Sequence, residues 1–274
     1  MQQTAAIIEQ VAATLDAIRA RHPLVHCLTN EVVKNYTANL LLAVGAAPAM
    51  VEDPDEATQF TPVADALLIN LGTLKQQQIE TMRVAVGAAA CAGKPWVLDP
   101  VAVGPLGKRT TFANEILQKN PALVRGNASE ILSLAGYDGN ARGPDSTASS
   151  DDARNAAVQL ARRQGAVVLV TGPVDYATDG RQVVAVHNGH PLMTRVTGVG
   201  CAMGALAAAC VAVAPDRQSA AVATAVILGI AGEQAAVKTQ SVGSYQIALL
   251  DALDQLTSEQ IRKHARMQNL EDRS

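Results

Sequence analysis

The sequence predicts an α/β fold: a mainly parallel sheet with helices on both faces. Short apolar runs alternate with longer helical patterns through most of the chain, the rhythm of strand–helix–strand units. Those runs are almost wholly apolar rather than alternating, as strands covered on both faces are. The length of 274 residues, with 49% hydrophobic but only 3% aromatic residues, suits one domain over residues 1–274 with an aliphatic core.

The opening segment MQQTAAIIEQVAATLDAIRARHP has no basic start before an apolar stretch, so it reads as an amphipathic helix and not a targeting signal. Strands are expected over 24–28, 47–50, 66–70, 96–99, 122–125 and 167–171. Helices between them should begin near Asn30, Asp53, Lys75, Thr110 and Ser129, with another over 151–164. The runs 174–178 and 182–187 flank Asp179-Gly180, a hairpin turn signal that adds antiparallel strands at the sheet edge. From Gly200 the chain reads as helical to its end, with Ala-rich helices over roughly 200–214 and 219–237 and shorter ones after Ser241 and Ser258. Residues 139–150 are turn-rich and read as a surface loop.

Composition narrows the function classes. The net charge of −3 and the lack of a basic run argue against a general nucleic-acid binder. The most apolar stretch, residues 201–214, is too short and too rich in Gly and Ala to span a bilayer, so no membrane partner is expected. Cys27, Cys91, Cys201 and Cys210 are scattered without zinc spacing, which suits a reducing cytoplasm and no structural metal. Charged residues are only 17% of the chain, a hint of surface buried between subunits.

The richest motif is TRVTGVGCAMGAL, residues 194–206. A Gly-rich turn that feeds a helix aims the amides of Gly198, Val199, Gly200 and Cys201 at one spot and adds the positive end of the helix dipole. Such a hole can hold a transferring phosphoryl group, and a thiolate at Cys201 would be favoured there. The competing reading is a tight turn under a small-residue helix, with Cys201 as filler. Neither GxxxxGK[ST] nor an early GxGxxG is present, so a phosphate site would have to use this late turn. Arg125 and Asn127 stand at the carboxyl end of a strand, where ligands bind open α/β sheets. Glu130 follows Asn127 by three residues, a spacing that equally fits a capping box. Asp99 ends another strand and could hold Mg²⁺ through water, or could simply make an Asp–Pro turn. Thr29 and Asn30 are good N-caps. His26 and Met50 read as core, and Asn188-Gly-His-Pro191 as a turn.

In order along the chain, PLVHCLTNEVVKNYTANLLLAVGAAPAM, LLINLGTL, WVLDPVAVG, VRGNASEI, VLVTGPVDYATDG and NGHPLMTRVTGVGCAMGAL resemble the hydroxyethylthiazole kinases, over most of residues 23–206. The resemblance implies a ribokinase-like three-layer α/β/α fold with a mostly parallel central sheet and no separate lid domain. It implies a homotrimer with active sites between neighbouring subunits. By the same resemblance Met50 and Gly198 contact the thiazole substrate, and Arg125 and Thr171 contact ATP. Asp99 and Glu130 match positions of the magnesium and phosphate region. Cys201 stands where most ribokinase-like kinases carry an Asp base, and where the thiazole kinases themselves show Cys. The expected activity is Mg²⁺- and ATP-dependent phosphorylation of the primary alcohol of 4-methyl-5-(2-hydroxyethyl)thiazole, in thiamine biosynthesis and salvage. The alternatives are a ribokinase-like kinase of another small alcohol, such as a hydroxymethylpyrimidine, and a non-catalytic nucleotide-binding protein of this fold.

Overall fold

A computed structural model describes residues 2–137 and 150–270. The first half of the chain runs α1 (Gln2–Arg21), β1 (Leu24–Leu28), α2 (Lys34–Val44), β2 (Ala47–Ala49), α3 (Pro54–Phe60), β3 (Ala66–Asn70), α4 (Gln76–Cys91), β4 (Trp96–Asp99) and α5 (Gly107–Leu117). It continues with β5 (Leu123–Asn127), α6 (Ala128–Ala135), α7 (Ser150–Gln164), β6 (Val167–Thr171) and the hairpin β7 (Asp175–Thr178) and β8 (Val183–Val186). A short 3-10 helix (Pro191–Arg195) leads into α8 (Val199–Val213), α9 (Arg217–Lys238), α10 (Val242–Gln255), α11 (Ser258–His264) and β9 (Met267–Leu270). The loop expected over 139–150 lies outside the described residues, except for Ser150, which opens α7.

All nine strands among the described residues join one sheet, in the order β2-β1-β3-β4-β5-β6-β7-β8-β9. β1 to β6 pair in parallel, whereas β7, β8 and β9 add as antiparallel strands at one edge. The pleat sends alternate side chains to opposite faces. Leu68, Val97, Leu123 and Leu169 face a layer made by α1, α2, α8, α9 and α10. Ile69, Leu98, Val124 and Val170 face the other layer, made by α3 to α7. Both faces are therefore covered, as the unbroken apolar runs require.

Local signals place the helix ends. The Asp53 carboxylate accepts from the amides of Asp55 and Glu56 ahead of Pro54, and Asp216 accepts from the Ser219 amide. The second helix starts at Lys34 and not near Asn30; residues 31–33 form a turn in which Asn30 Oδ1 accepts from Val32 N–H at 3.1 Å and the Asn30 carbonyl from Val33 N–H at 3.2 Å. The hairpin turns at Asp179-Gly180 as expected, with Gly180 at φ 88°. The expectation of helix to the chain end fails at β9, which pairs with β8 from Val186↔Met267 to Val183↔Leu270. Its sequence MQNL lacks the alternation that marks a half-buried strand, because it lies half-exposed on the sheet edge. The 201–214 segment forms most of the short apolar helix α8, and α9 is the longest apolar helix among the described residues. By length and composition it could cross a membrane, but 83% of its most apolar window is buried inside the protein, as in a core helix.

Helix α8 lies directly on the sheet because its residues are small. A Cβ on Gly204 would stand 3.1 Å from Leu68 Cδ1 and 3.2 Å from Asp99 Oδ2. In an open helix Gly→Ala gains about 1 kcal/mol of propensity, whereas overpacking costs about 1–3 kcal/mol. Gly204→Ala should therefore lower the thermal melting temperature. A melt at or above the wild-type value would show that α8 has room to lift from the sheet.

Candidate active site

Strand parity brings the polar side chains together. Because Ile69, Leu98, Val124 and Val170 face the α3–α7 layer, the next residues, Asn70, Asp99, Arg125 and Thr171, face α8 at the carboxyl rim of the sheet. Register aligns Asn70 with Asp99. The positive end of α8 points into the same rim, with Gly198 as its N-cap at φ 97°.

Arg125 sits at the centre and is only 9% exposed. Its guanidinium donates to Thr171 Oγ1 at 2.9 Å and approaches Asp99 Oδ1 at 3.7 Å, too far for a hydrogen bond. Arg125 Nε and Asp99 Oδ1 are buried with no hydrogen-bond partner among the described residues. Each such group costs about 1–3 kcal/mol. The guanidinium also lies against the start of α8: a Cβ on Gly200 would be 3.3 Å from one terminal nitrogen. A cationic side chain and a helix N-terminus thus share one corner, an arrangement that an anion completes.

The carboxylates around this corner are held differently. Burial pushes Asp99 up to about 7, and Glu130 adds to the rise, against the opposing pull of Arg125 and the Asn70 amide. Glu130 is engaged on both oxygens, by the amides of Ala102 (2.9 Å) and Asn127 (2.8 Å). The capping box of α6 is therefore real, since Asn127 Oδ1 returns the bond from Glu130 N–H at 2.9 Å. Among the described residues no three His, Cys, Asp or Glu side chains gather as a metal cage. Magnesium does not need one: one or two carboxylates plus substrate phosphates are its usual partners, and the unpartnered Asp99 Oδ1 fits that role.

Cys201, in the first turn of α8, accepts from Asn30 Nδ2 at 3.3 Å. The thiol is pushed up to about 11, chiefly by burial and then by Asp99, and the neighbouring amides and Arg125 offset this only in part. The helix terminus was expected to favour a thiolate; burial outweighs it, and Cys201 is a neutral thiol at pH 7. Gly198 has a packing reason that the sequence does not show. A Cβ there would meet Val33 Cγ1 at 2.9 Å and Tyr36 Cδ1 at 3.4 Å, because the start of α2 closes over the turn. Met50 follows β2 and packs, half-buried, on the α8 side of the core. His26 is the core histidine expected, fully buried with contacts to Thr61 Oγ1 (2.9 Å) and the Val51 carbonyl (2.8 Å).

A family model described as the hydroxyethylthiazole kinase family matches residues 15–259. The chain belongs to the hydroxyethylthiazole kinase family. It is 52% identical to the hydroxyethylthiazole kinase of Akkermansia muciniphila over 96% of this chain and 98% of that one. It is 54% identical to that of Cronobacter sakazakii over 88% and 91% of the two chains. The solved hydroxyethylthiazole kinase protein from Pyrococcus horikoshii superposes with a TM-score of 0.89 at 39% identity, covering 95% of this chain and 99% of that one. A pyridoxal kinase from Staphylococcus aureus shares the fold at a TM-score of 0.62 and 15% identity, over 90% and 98% of the chains. The ribokinase-like three-layer fold expected from the resemblance is the one observed.

Three residues of the site escaped the sequence reading. Asn30 reads only as a cap, Asn70 only as a strand end, and Asp175 carries no motif. Asp175 Oδ1 accepts from the Gly172 amide at 2.9 Å and fixes the turn after Thr171. Burial of its carboxyl pushes it up to about 7, against the pull of that amide and of Arg125. Strand parity was the signal available for Asn70.

Two outcomes follow from this geometry. Gly198→Ala should lose thermal stability as well as activity, since a left-handed residue with a Cβ costs roughly 1–2 kcal/mol before the Val33 clash; an unchanged melt would contradict the packing account. Below its pKa of about 11 the thiolate fraction of Cys201 rises with pH. Alkylation mapped by mass spectrometry should therefore be slow at pH 7 and rise about tenfold per pH unit toward pH 10, with exposed Cys91 as the internal reference. Fast labelling of Cys201 at pH 7 would contradict the neutral thiol.

Proposed function

We propose that the protein transfers the terminal phosphoryl group of ATP to the primary alcohol of 4-methyl-5-(2-hydroxyethyl)thiazole, giving the phosphate ester and ADP. Family membership supports the activity, and the observation that carries the chemistry is the Arg125 guanidinium seated against the N-terminus of α8, beside Cys201. The alcohol oxygen attacks phosphorus, the bond to ADP breaks, and the alcohol proton leaves late from a loose transition state, passing to an oxygen of the transferred phosphoryl group or to water. Arg125 and Thr171 bind the nucleotide phosphates. The amides of Gly198, Val199, Gly200 and Cys201 stabilise the charge of the transferring group. Cys201, as a neutral thiol, lies beside the attacking hydroxyl. Met50 and the Gly198 turn border the thiazole. Asp99, with Glu130 through water, would hold Mg²⁺, which neutralises phosphate charge when bound.

The same reading makes residues 1–274 one catalytic domain, working in the cytoplasm as a homotrimer with sites between subunits. Exposed Val32 and Leu42 beside and on α2, Val237 near the end of α9 and Ile247 on α10 support a subunit interface, and the 17% charged fraction agrees with it.

ADP release that depends on the thiazole alcohol tests the activity; release equal with and without it would leave only a nucleotide-binding protein. Arg125→Ala should raise the ATP requirement roughly 10- to 150-fold, the equivalent of a charge-assisted contact of about 1.5–3 kcal/mol. An unchanged KM for ATP in a folded variant would remove Arg125 from the nucleotide site.

A further inference from the structure

We infer that Asn70 is a positioning residue that ties the acceptor side of the site to the phosphate side; the inference rests on the kinase reading above. Asn70 is fully buried at the end of β3. Its Oδ1 accepts from the Gly72 amide at 3.0 Å and from Asn30 Nδ2 at 2.9 Å, and its Nδ2 donates to Asp99 Oδ2 at 2.7 Å. A backbone N–H can only donate, so Gly72 fixes which end of the Asn70 amide is oxygen. The Asn30 amide is fixed in the same way, because its Oδ1 accepts from Val32 N–H at 3.1 Å. Two main-chain donors thus impose one polarity on the chain Cys201–Asn30–Asn70–Asp99.

That polarity has consequences at both ends. Asn30 must present N–H to Cys201 Sγ, at 3.3 Å. Asn70 must occupy Asp99 Oδ2, which leaves Oδ1 as the carboxylate oxygen facing Arg125. Gly72 makes room for the link: a Cβ there would stand 2.6 Å from Asn30 Nδ2. The separation between the thiol and the free carboxylate oxygen is thereby set by side chains that touch neither the phosphate nor the thiazole. A small misplacement of reacting groups costs up to about 100-fold in rate.

Asn70→Asp separates the two halves of the link. The new carboxylate still accepts from Gly72 and Asn30, but it meets Asp99 with oxygen against oxygen. It should lower kcat about 10- to 100-fold and leave KM for ATP and for the thiazole alcohol within about threefold, the pattern of lost positioning. The exchange variant Asn70→Asp with Asp99→Asn restores a donor–acceptor pair and should recover the melting temperature lost in the single variant, without recovering turnover. Maleimide labelling of Cys201, read by mass spectrometry, needs no turnover: Asn70→Ala removes one amide donor and frees Asn30 to turn away, so the thiolate loses hydrogen bonds that favour it and labelling should slow several-fold. A wild-type kcat in Asn70→Asp, a loss carried by KM alone, an exchange variant no more stable than the single, or unchanged labelling in Asn70→Ala would each overturn the inference. A wild-type protein that does not phosphorylate the thiazole alcohol would instead overturn the proposed function, and the labelling and melting results would still decide the link.

Discussion

Arg125 is buried against the positive end of a helix, and most of the site depends on how that crowding is relieved. Asp99 supplies the counter-charge from 3.7 Å, outside hydrogen-bond reach, and Thr171 takes one donor. The pair is incompletely bonded, an arrangement that costs stability unless a ligand completes it. An anion at this corner meets the guanidinium and the α8 amides together. The same crowding explains the small residues of the turn: a Cβ at Gly200 would press on Arg125, and one at Gly204 would press on Asp99.

The burial around this corner also sets the character of Cys201. A helix N-terminus alone favours a thiolate, but desolvation and the Asp99 charge dominate here. A loose phosphoryl-transfer transition state makes modest demands on a base, so a neutral thiol held by Asn30 is compatible with the chemistry. Preorganised charge at the rim carries most of the catalytic load in this account.

Much of the fold was legible in the sequence because strands covered on both faces must be apolar throughout. That rule located β1, β3, β4, β5 and β6 to within a residue or two. It could not find β9, whose polar MQNL pairs through the backbone on an exposed edge. At the site, Arg125, Asp99 and the Gly198–Cys201 turn stood out because strand ends and Gly-rich turns mark the rim, whereas Thr171 was marked only by the family resemblance. Asn70 and Asn30 did not stand out, since a buried amide is significant only through its partners. The reason for Gly198 was also hidden: Val33 and Tyr36 lie far away in sequence and reach the turn only when α2 folds over it.

The central claim is that one corner, formed by Arg125 and the first amides of α8, receives the transferring phosphate with the acceptor alcohol beside Cys201. A crystal structure with a non-hydrolysable ATP analogue and the thiazole alcohol tests it most directly. The account predicts the terminal phosphate within hydrogen-bond distance of Arg125 or of the amides at the start of α8, and the alcohol oxygen between that phosphate and Cys201 Sγ. A nucleotide bound with its phosphates away from Arg125 and α8, or a thiazole whose hydroxyl points away from Cys201, would contradict it.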